Sequence, residues 1–251
     1  MERDGLASLA GFYAKGASFV EGGVVVLDGD AAHHMRVRRL DAGERVFVAD
    51  GAGMHAIGSI ARISKNDAEV AVESVRHTEQ PSSVHMLVPI ADRDRMLWCA
   101  EKCVELGASS WRPVMWHRSR SVSPRGEGSS FADKVRGRME SALVQSHSPW
   151  LPSIHGDSTP AGAIENASAD GSRFVLDASG EPILHVTCTA PVTIAVGPEG
   201  GFEQHELDAL LVANFRAVSL GANVLRFETA AVAALAIVRS ALAASPERID
   251  G

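Results

Sequence analysis

The feature that most constrains this chain is a change of pattern near residue 80. Up to about residue 78, short β-like runs are separated by turns, whereas beyond Glu79-Gln80-Pro81-Ser82-Ser83 the β-like runs alternate with helical ones. A polar, proline-containing stretch between two such patterns reads as a linker. Two domains are therefore predicted, 1–78 and 84–245, and 251 residues suffice for two modest cores. In the first, the runs Val24 to Leu27, Arg45 to Ala49, His55 to Ile63 and Ala68 to Val75 read as strands, Asp50-Gly51 marks a hairpin, and Asp30 is placed to cap a short helix carrying His33 to Arg39. Short strands with a single helix predict a compact β-barrel. In the second, the predicted order is strand Val84 to Ile90, helix Arg93 to Leu106, strand Arg112 to Trp116, helix Phe131 to Gln145, strand Phe174 to Leu176, strand Val192 to Val196, helix Gln204 to Ala213, strand Ala217 to Ser219 and helix Glu228 to Ala243. That alternation predicts an α/β domain with a largely parallel sheet covered by helices.

Composition narrows the function classes. Hydrophobic residues make up 45% and charged residues 22%, which is the balance of a globular protein with a substantial core. No apolar run is read as approaching a membrane span, and Glu2, Asp4, Glu21, Asp28 and Asp30 argue against a basic-then-apolar leader. No membrane association is expected, and the location expected is cytoplasmic. The three cysteines have no ligand-type spacing, and Cys99 and Cys103 lie one helical turn apart as core thiols, so neither a metal site nor a disulfide is expected. The net charge of -7 argues by itself against a nucleic-acid partner, yet residues 93–138 hold 10 basic against 5 acidic side chains. His33, His34, Arg36, Arg38 and Arg39 form a second basic knot, and either cluster is suited to phosphates.

Loops at the carboxyl ends of parallel strands are where α/β sheets hold ligands. The run Val192 to Val196 empties into Gly197-Pro198-Glu199-Gly200-Gly201, which lets the backbone approach a ligand and exposes N–H groups at a helix start. Its spacing matches neither the dinucleotide fingerprint nor the phosphate-cradling loop, so NAD and ATP are poorly supported. A second loop, Ser219 to Ala230, leads into a nearly uncharged helix; Glu228 and Thr229 suit its N-terminal turn, but an arginine at Arg226 gains nothing from the positive end of the dipole. Arg226 therefore calls for a functional role. A third loop, Asp177-Ala178-Ser179-Gly180, follows a buried strand.

GPEGG at 197–201 followed by LGANVLRFETAA at 220–231 resembles the paired signature of the SPOUT methyltransferases, most closely the RsmE family of ribosomal RNA uridine-N3 methyltransferases. EKCVELGA at 101–108, RSV at 120–122 and HHMRVRRLDAGERVFVADGAG at 33–53 extend the resemblance over nearly the whole chain, the last resembling a PUA-like RNA-binding domain. The resemblance implies a C-terminal domain with a deep trefoil knot, S-adenosylmethionine as cofactor, a homodimer, and N3 methylation of a uridine in 16S ribosomal RNA within the small subunit. It implies Gly197, Pro198, Glu199, Gly200, Gly201, Leu220, Gly221, Leu225, Glu228, Thr229 and Ala230 as cofactor-binding, with Leu176 and Asp177 as weaker members.

Methyl transfer to a uridine nitrogen leaves negative charge on O2 and O4 as the imide proton departs, so the catalytic role falls to Arg226 as the stabiliser of that charge. Arg36, Arg39, Arg118, Arg120 and Gln145 are the RNA-binding candidates. One departure stands out: where the family has Gln-Ser-Gly-Arg, this chain has Gln145-Ser146-His147-Ser148, and Phe227 replaces a small polar residue. That departure motivates the competing reading, an RNA-binding knotted protein that lacks methyltransferase activity or acts on a different RNA. A nucleotide-hydrolysing enzyme is disfavoured because neither a metal cluster nor a phosphate loop is recognisable.

Overall fold

The computed structural model describes residues 9–121 and 123–244. Glu2, Asp4 and Val122, named above, and the domain end at 245 lie outside the described residues. The chain divides into two compact units, one formed by 1–80 with 140–151 and the other by 81–139 with 152–251. The division is thus not a single cut at the linker: a short segment of the α/β half of the sequence groups with the N-terminal strands.

The first unit holds β1 (Ala10–Tyr13), β2 (Val24–Leu27), β3 (Arg45–Ala49), β4 (Met54–Ile63), β5 (Ala68–His77) and helix α1 (Gly29–Val37). The five strands form one sheet in the order β1-β3-β4-β5-β2, antiparallel except for β1 against β3, and no ladder joins β1 to β2 among the described residues. Its core gathers Phe12, Leu27, Met35, Val46, Val48, Ile60 and Val70. The cap of α1 is Asp28, whose carboxylate accepts from Ala31 N at 2.9 Å; Asp30 lies in the first turn instead, so the predicted cap is two residues late. At the β3–β4 turn Asp50 Oδ1 accepts from the N–H groups of Ala52 and Met54, with Gly51 and Gly53 at positive φ.

The segment 147–151 binds this unit through its backbone: Pro149 O accepts from Gly53 N and Leu151 N donates to Gly51 O, both at 2.9 Å. Trp150 donates its indole N–H to Thr78 O at 2.9 Å and covers Gly53, where an added Cβ would lie 2.5 Å from the ring. His147, at the position where the resembled family has glycine, has φ +54; its Nε2 donates to Leu9 O at 3.0 Å and its ring meets Phe47 edge-on. The Ser148 hydroxyl, at the family's arginine position, closes a turn with the backbone of Trp150.

The second unit holds β6 (Val84–Pro89), β7 (Ser110–Val114), β8 (Ser153–Ile154), β9 (Ser172–Pro182), β10 (Val192–Ala195) and β11 (Arg216–Ser219), all parallel, in the order β11-β9-β10-β6-β7-β8. Its helices are α2 (Arg93–Glu105), α3 (Ser129–Ser146), whose last turns group with the first unit, α4 (Pro160–Glu165), α5 (Gln204–Val212) and α6 (Phe227–Ala244). Three expectations are corrected here. The strand predicted over Arg112 to Trp116 is Ser110–Val114, because Trp116 turns into the core against Phe202 at the entry to a 3-10 turn, His117–Ser121. The predicted loop at Asp177 to Gly180 is strand: β9 runs on to Pro182 past a register shift against β11. Finally, α6 has 18 residues and is long and apolar enough, by length and composition, to cross a membrane, contrary to the reading that no run approaches that length. It nonetheless packs on α2, β6 and β10 and buries Phe227, Ala231, Ala234, Leu235 and Val238. Arg239 in the same helix donates to the carbonyls of Ser82 and Gly107, and burial pushes its pKa down from the ordinary arginine value.

Candidate cofactor cleft

The middle of β9, at Leu176 to Ala178, and the carboxyl ends of β10 and β11 open into a cleft of about 300 Å³, at the lower end of ordinary small-molecule sites. It brings together Leu176, Asp177, Gly197, Pro198, Glu199, Gly200, Gly201, Leu220, Gly221, Leu225 and Ala230 from the predicted set. Two predicted members, Glu228 and Thr229, do not line it. Glu228 is buried and turned toward α2, while Thr229 is exposed. Ala178, Val196, Phe202, Val218, Ser219, Asn223, Val224 and Phe227, outside the predicted set, also line the cleft. Phe202 is the instructive case: an added Cβ at Gly197 would sit 3.0 Å from its ring, so the first glycine of the loop is a packing requirement as much as a ligand one.

Glycine serves two different needs in this loop. At Gly201 the backbone has φ +73, a left-handed conformation that other residues adopt only at a cost. At Gly200 the need is space: a Cβ would lie 2.9 Å from Cδ of Arg118. Arg118 lies along the loop, donating to Gly200 O and, from Nε, to Glu203 at 2.9 Å, and this hydrogen bond holds the Glu203 carboxyl below the usual glutamate range. Glu203 caps α5 in a reciprocal capping box with Glu206, whose buried carboxylate also accepts from His117 N at 2.8 Å. The 3-10 turn after β7 is thereby tied to the loop after β10. Arg118, predicted as a phosphate contact, has its guanidinium committed to the loop.

The other side of the loop is held by Arg95, a residue that no sequence motif marks. Its Nη1 donates to Glu199 at 3.2 Å and its Nε lies 3.9 Å from Glu228. The second carboxylate oxygen of Glu228 is buried without a hydrogen-bond partner among the described residues. Arg226, the predicted catalytic residue, is exposed at the end of the second loop, its carbonyl accepting from Ala230 N at 2.9 Å, and its side chain does not line the cleft. Arg120 is exposed in the 3-10 turn, with its carbonyl accepting from Arg125 at 2.7 Å. The remaining RNA candidates belong to the first unit. Arg36 donates to the carbonyls of Ser64 and Lys65, Arg39 is exposed with φ +57, and Gln145 is exposed near the end of α3.

The cleft's ionisable lining consists, among the described residues, of Asp177 and Glu199, both acidic; the rest is apolar side chains, small polar ones and loop backbone. With Glu199 paired to Arg95, Asp177 is left as the acidic group of the lining, which suits a ligand with an apolar ring and a cationic portion better than a phosphate-rich one.

Residues 78–239 match the model of an RNA methyltransferase domain, and residues 27–73 match that of an RNA methyltransferase PUA domain. The ribosomal RNA small subunit methyltransferase E of Mycobacterium bovis is 31% identical over 231 residues, covering 86% of each chain. Among solved structures, the Neisseria gonorrhoeae ribosomal RNA small subunit methyltransferase E bound to S-adenosyl methionine superposes with a TM-score of 0.84 at 24% identity, over 92% of this chain and 97% of that one. A probable rRNA-methyltransferase from Porphyromonas gingivalis gives 0.76 at 26% identity, over 94% and 99%. The chain belongs to the ribosomal RNA small subunit methyltransferase E family.

Proposed function

We propose that this protein transfers a methyl group from S-adenosylmethionine to N3 of a uridine in small-subunit ribosomal RNA, acting in the cytoplasm on the small ribosomal subunit. The observation that carries the reading is the cleft between the middle of β9 and the ends of β10 and β11, acidic where it is charged and otherwise built from apolar side chains and loop backbone. The fit to S-adenosylmethionine is chemical: Asp177 favours a ligand carrying sulfonium and ammonium charges, Glu199 being paired with Arg95, while Leu176, Val196, Leu225 and Phe227 suit the adenine. When bound, that cofactor supplies a methyl group already activated for transfer.

The chain's own residues then have three tasks. The loop 197–201, held by Arg95 and Arg118, fixes the position of the donor relative to the base, so that proximity supplies much of the rate. Arg226 stabilises the negative charge that grows on the uracil carbonyl oxygens as the N3 proton leaves; its exposed side chain, with no hydrogen bond or ion pair among the described residues, is available to a substrate. Arg39 and Arg120, both exposed, contact phosphates. Glu228 is assigned to position Arg95, since its carboxylate turns toward that residue and not into the cleft.

The knot and the homodimer belong to the same proposal. The knot is supported by the strand order: β10 seats between β9 and β6, both of which precede it, and α6 returns against β6 and β10 after β11 has formed beyond β9. The dimer is supported by α6, where Val232, Ala233, Ala236 and Ile237 are only partly covered by their own unit. Calorimetric titration with S-adenosylmethionine, followed by transfer of its labelled methyl group to purified small subunits, tests the function. Saturable binding with transfer supports the proposal, and binding without transfer would favour an RNA-binding protein.

A further inference from the structure

Glu206 is a carboxylate only 3% exposed, and helix capping accounts for half of what it does. As the third residue of α5 it completes the capping box, its Oε2 accepting from Glu203 N at 3.0 Å. That role needs one oxygen and no burial. The other oxygen, Oε1, accepts at 2.8 Å from the N–H of His117, which lies 89 positions away and opens the 3-10 turn, where a backbone donor has no partner within its own helix. The contacts on either side repeat this pairing one residue at a time. Trp116 meets the Phe202 ring edge-on with centroids 4.9 Å apart, the His117 ring meets that of His205 at 6.2 Å, and Arg118 donates to Glu203 and to Gly200 O. The consecutive residues 116–118 are thus joined to 200–206, and Gly200, Gly201 and Phe202 of that segment line the cleft. Toward the other end of the same turn stands the exposed Arg120.

The geometry points to Glu206 as a positioning residue that makes the cofactor loop and the 117–121 turn one body, so that S-adenosylmethionine and RNA bind cooperatively. Glu206 does not line the cleft and is buried, so it acts through the two backbone donors it holds. A ligand that fixes the loop also fixes the turn, and the ligand that arrives second finds its contact already ordered. By linkage each then raises the affinity of the other by the same factor. The coupling rests on the proposed function, which supplies its two ligands, and it adds the route between them, from Gly200 through Glu203 and Glu206 to His117. Glu206→Gln interrupts that route with little change of shape. An amide offers one acceptor oxygen and an NH₂, so one of the two bonds survives while at the other an N–H faces an N–H.

The test uses the full chain and a labelled cofactor analogue with an amine in place of the sulfonium methyl, which binds without transferring. Its affinity is measured by equilibrium dialysis with and without saturating small subunits. Wild type is expected to bind it at least about fivefold more tightly in their presence, the lower end of the range for coupled sites. In Glu206→Gln the ratio should fall close to one. Arg118→Lys leaves the capping box intact but cannot hold Glu203 and Gly200 O with one planar fork, and it should lower the ratio in the same direction. Asp208→Asn, exposed in the same helix and bonded to Gln204 at 2.9 Å, is the control and should keep the wild-type ratio. A Glu206→Gln protein with a lower melting temperature but an unchanged ratio would reduce Glu206 to a structural role and overturn the inference. An unchanged ratio in Arg118→Lys does the same should Glu206→Gln fail to fold. Wild-type methyl transfer with a ratio of one would refute the coupling alone, and neither analogue binding nor transfer would refute the function and the coupling with it.

Discussion

Arg95, on the first turn of α2, donates to Glu199 in the 197–201 loop at 3.2 Å and reaches within 3.9 Å of Glu228 at the start of α6, so one guanidinium braces both segments that border the cleft. Arg95 and Glu199 are 104 positions apart in sequence, and nothing local in either announces the connection.

Arg95→Ala is therefore expected to weaken S-adenosylmethionine binding about fivefold, the scale of a partly exposed ion pair. Arg95→Lys should recover part of the loss, since an ammonium keeps the charge but not the fork. If Arg95 acts through Glu199, the double variant with Glu199→Gln should bind no more weakly than the weaker single one. Additive losses in calorimetry would separate the two residues.

Two substitutions in the loop should fail for different reasons. Gly200→Val forces Arg118 off the loop and is expected to abolish cofactor binding in a protein that still folds. Gly201→Ala adds little bulk but must hold φ +73, a cost of about 1–2 kcal/mol. Its effect should appear as a lower melting temperature as well as lower affinity. Wild-type affinity in a folded Gly200→Val protein would remove the loop from the site.

Arg226→Ala separates binding from chemistry. With its side chain exposed and outside the cleft lining, its loss should leave melting temperature and cofactor affinity nearly unchanged. Single-turnover methyl transfer should fall about 10²- to 10³-fold, the loss seen when one charge-stabilising donor is removed. Recovery of the rate at saturating cofactor would make Arg226 a binding residue.

Stability should decline with acid in two stages. Burial lowers the pKa of His85 and His155 in the second unit and of His55 in the first, all below the ordinary 6.5. The folded state thus binds these protons less readily than the unfolded chain, so the stability is complete above pH 6.5 and is lost as pH falls through the lowered values. Glu203 and Glu101, held below the usual 4.5 by Arg118 and Lys102 respectively, add a second loss at lower pH. Urea denaturation across pH should show both stages, and His85→Gln should flatten the first.

Much of this architecture is legible in the sequence because its signals are local. The period change near residue 80, the run of glycines after Val192 to Val196 and the apolar stretch of α6 each describe their own segment. What escapes depends on distant partners. β1 is four residues containing a glycine, and it becomes a strand only by pairing with β3, where Ala10 meets Val46. β9 continues past Asp177 because β11 is there to receive it. Arg118 reads as a solvent-facing cation until Glu203 and Gly200 are brought against it. His147 and Ser148 look like losses relative to the family pattern, whereas both side chains make hydrogen bonds within the first unit.

Methylation of one uridine nitrogen is tested most directly by mapping modified nucleosides by mass spectrometry in small-subunit RNA from cells with and without this protein. A single N3-methyluridine is expected to disappear without the protein and to be restored in vitro by the purified protein with S-adenosylmethionine. Unchanged uridine modification, or loss of a methyl group from another base, would contradict it.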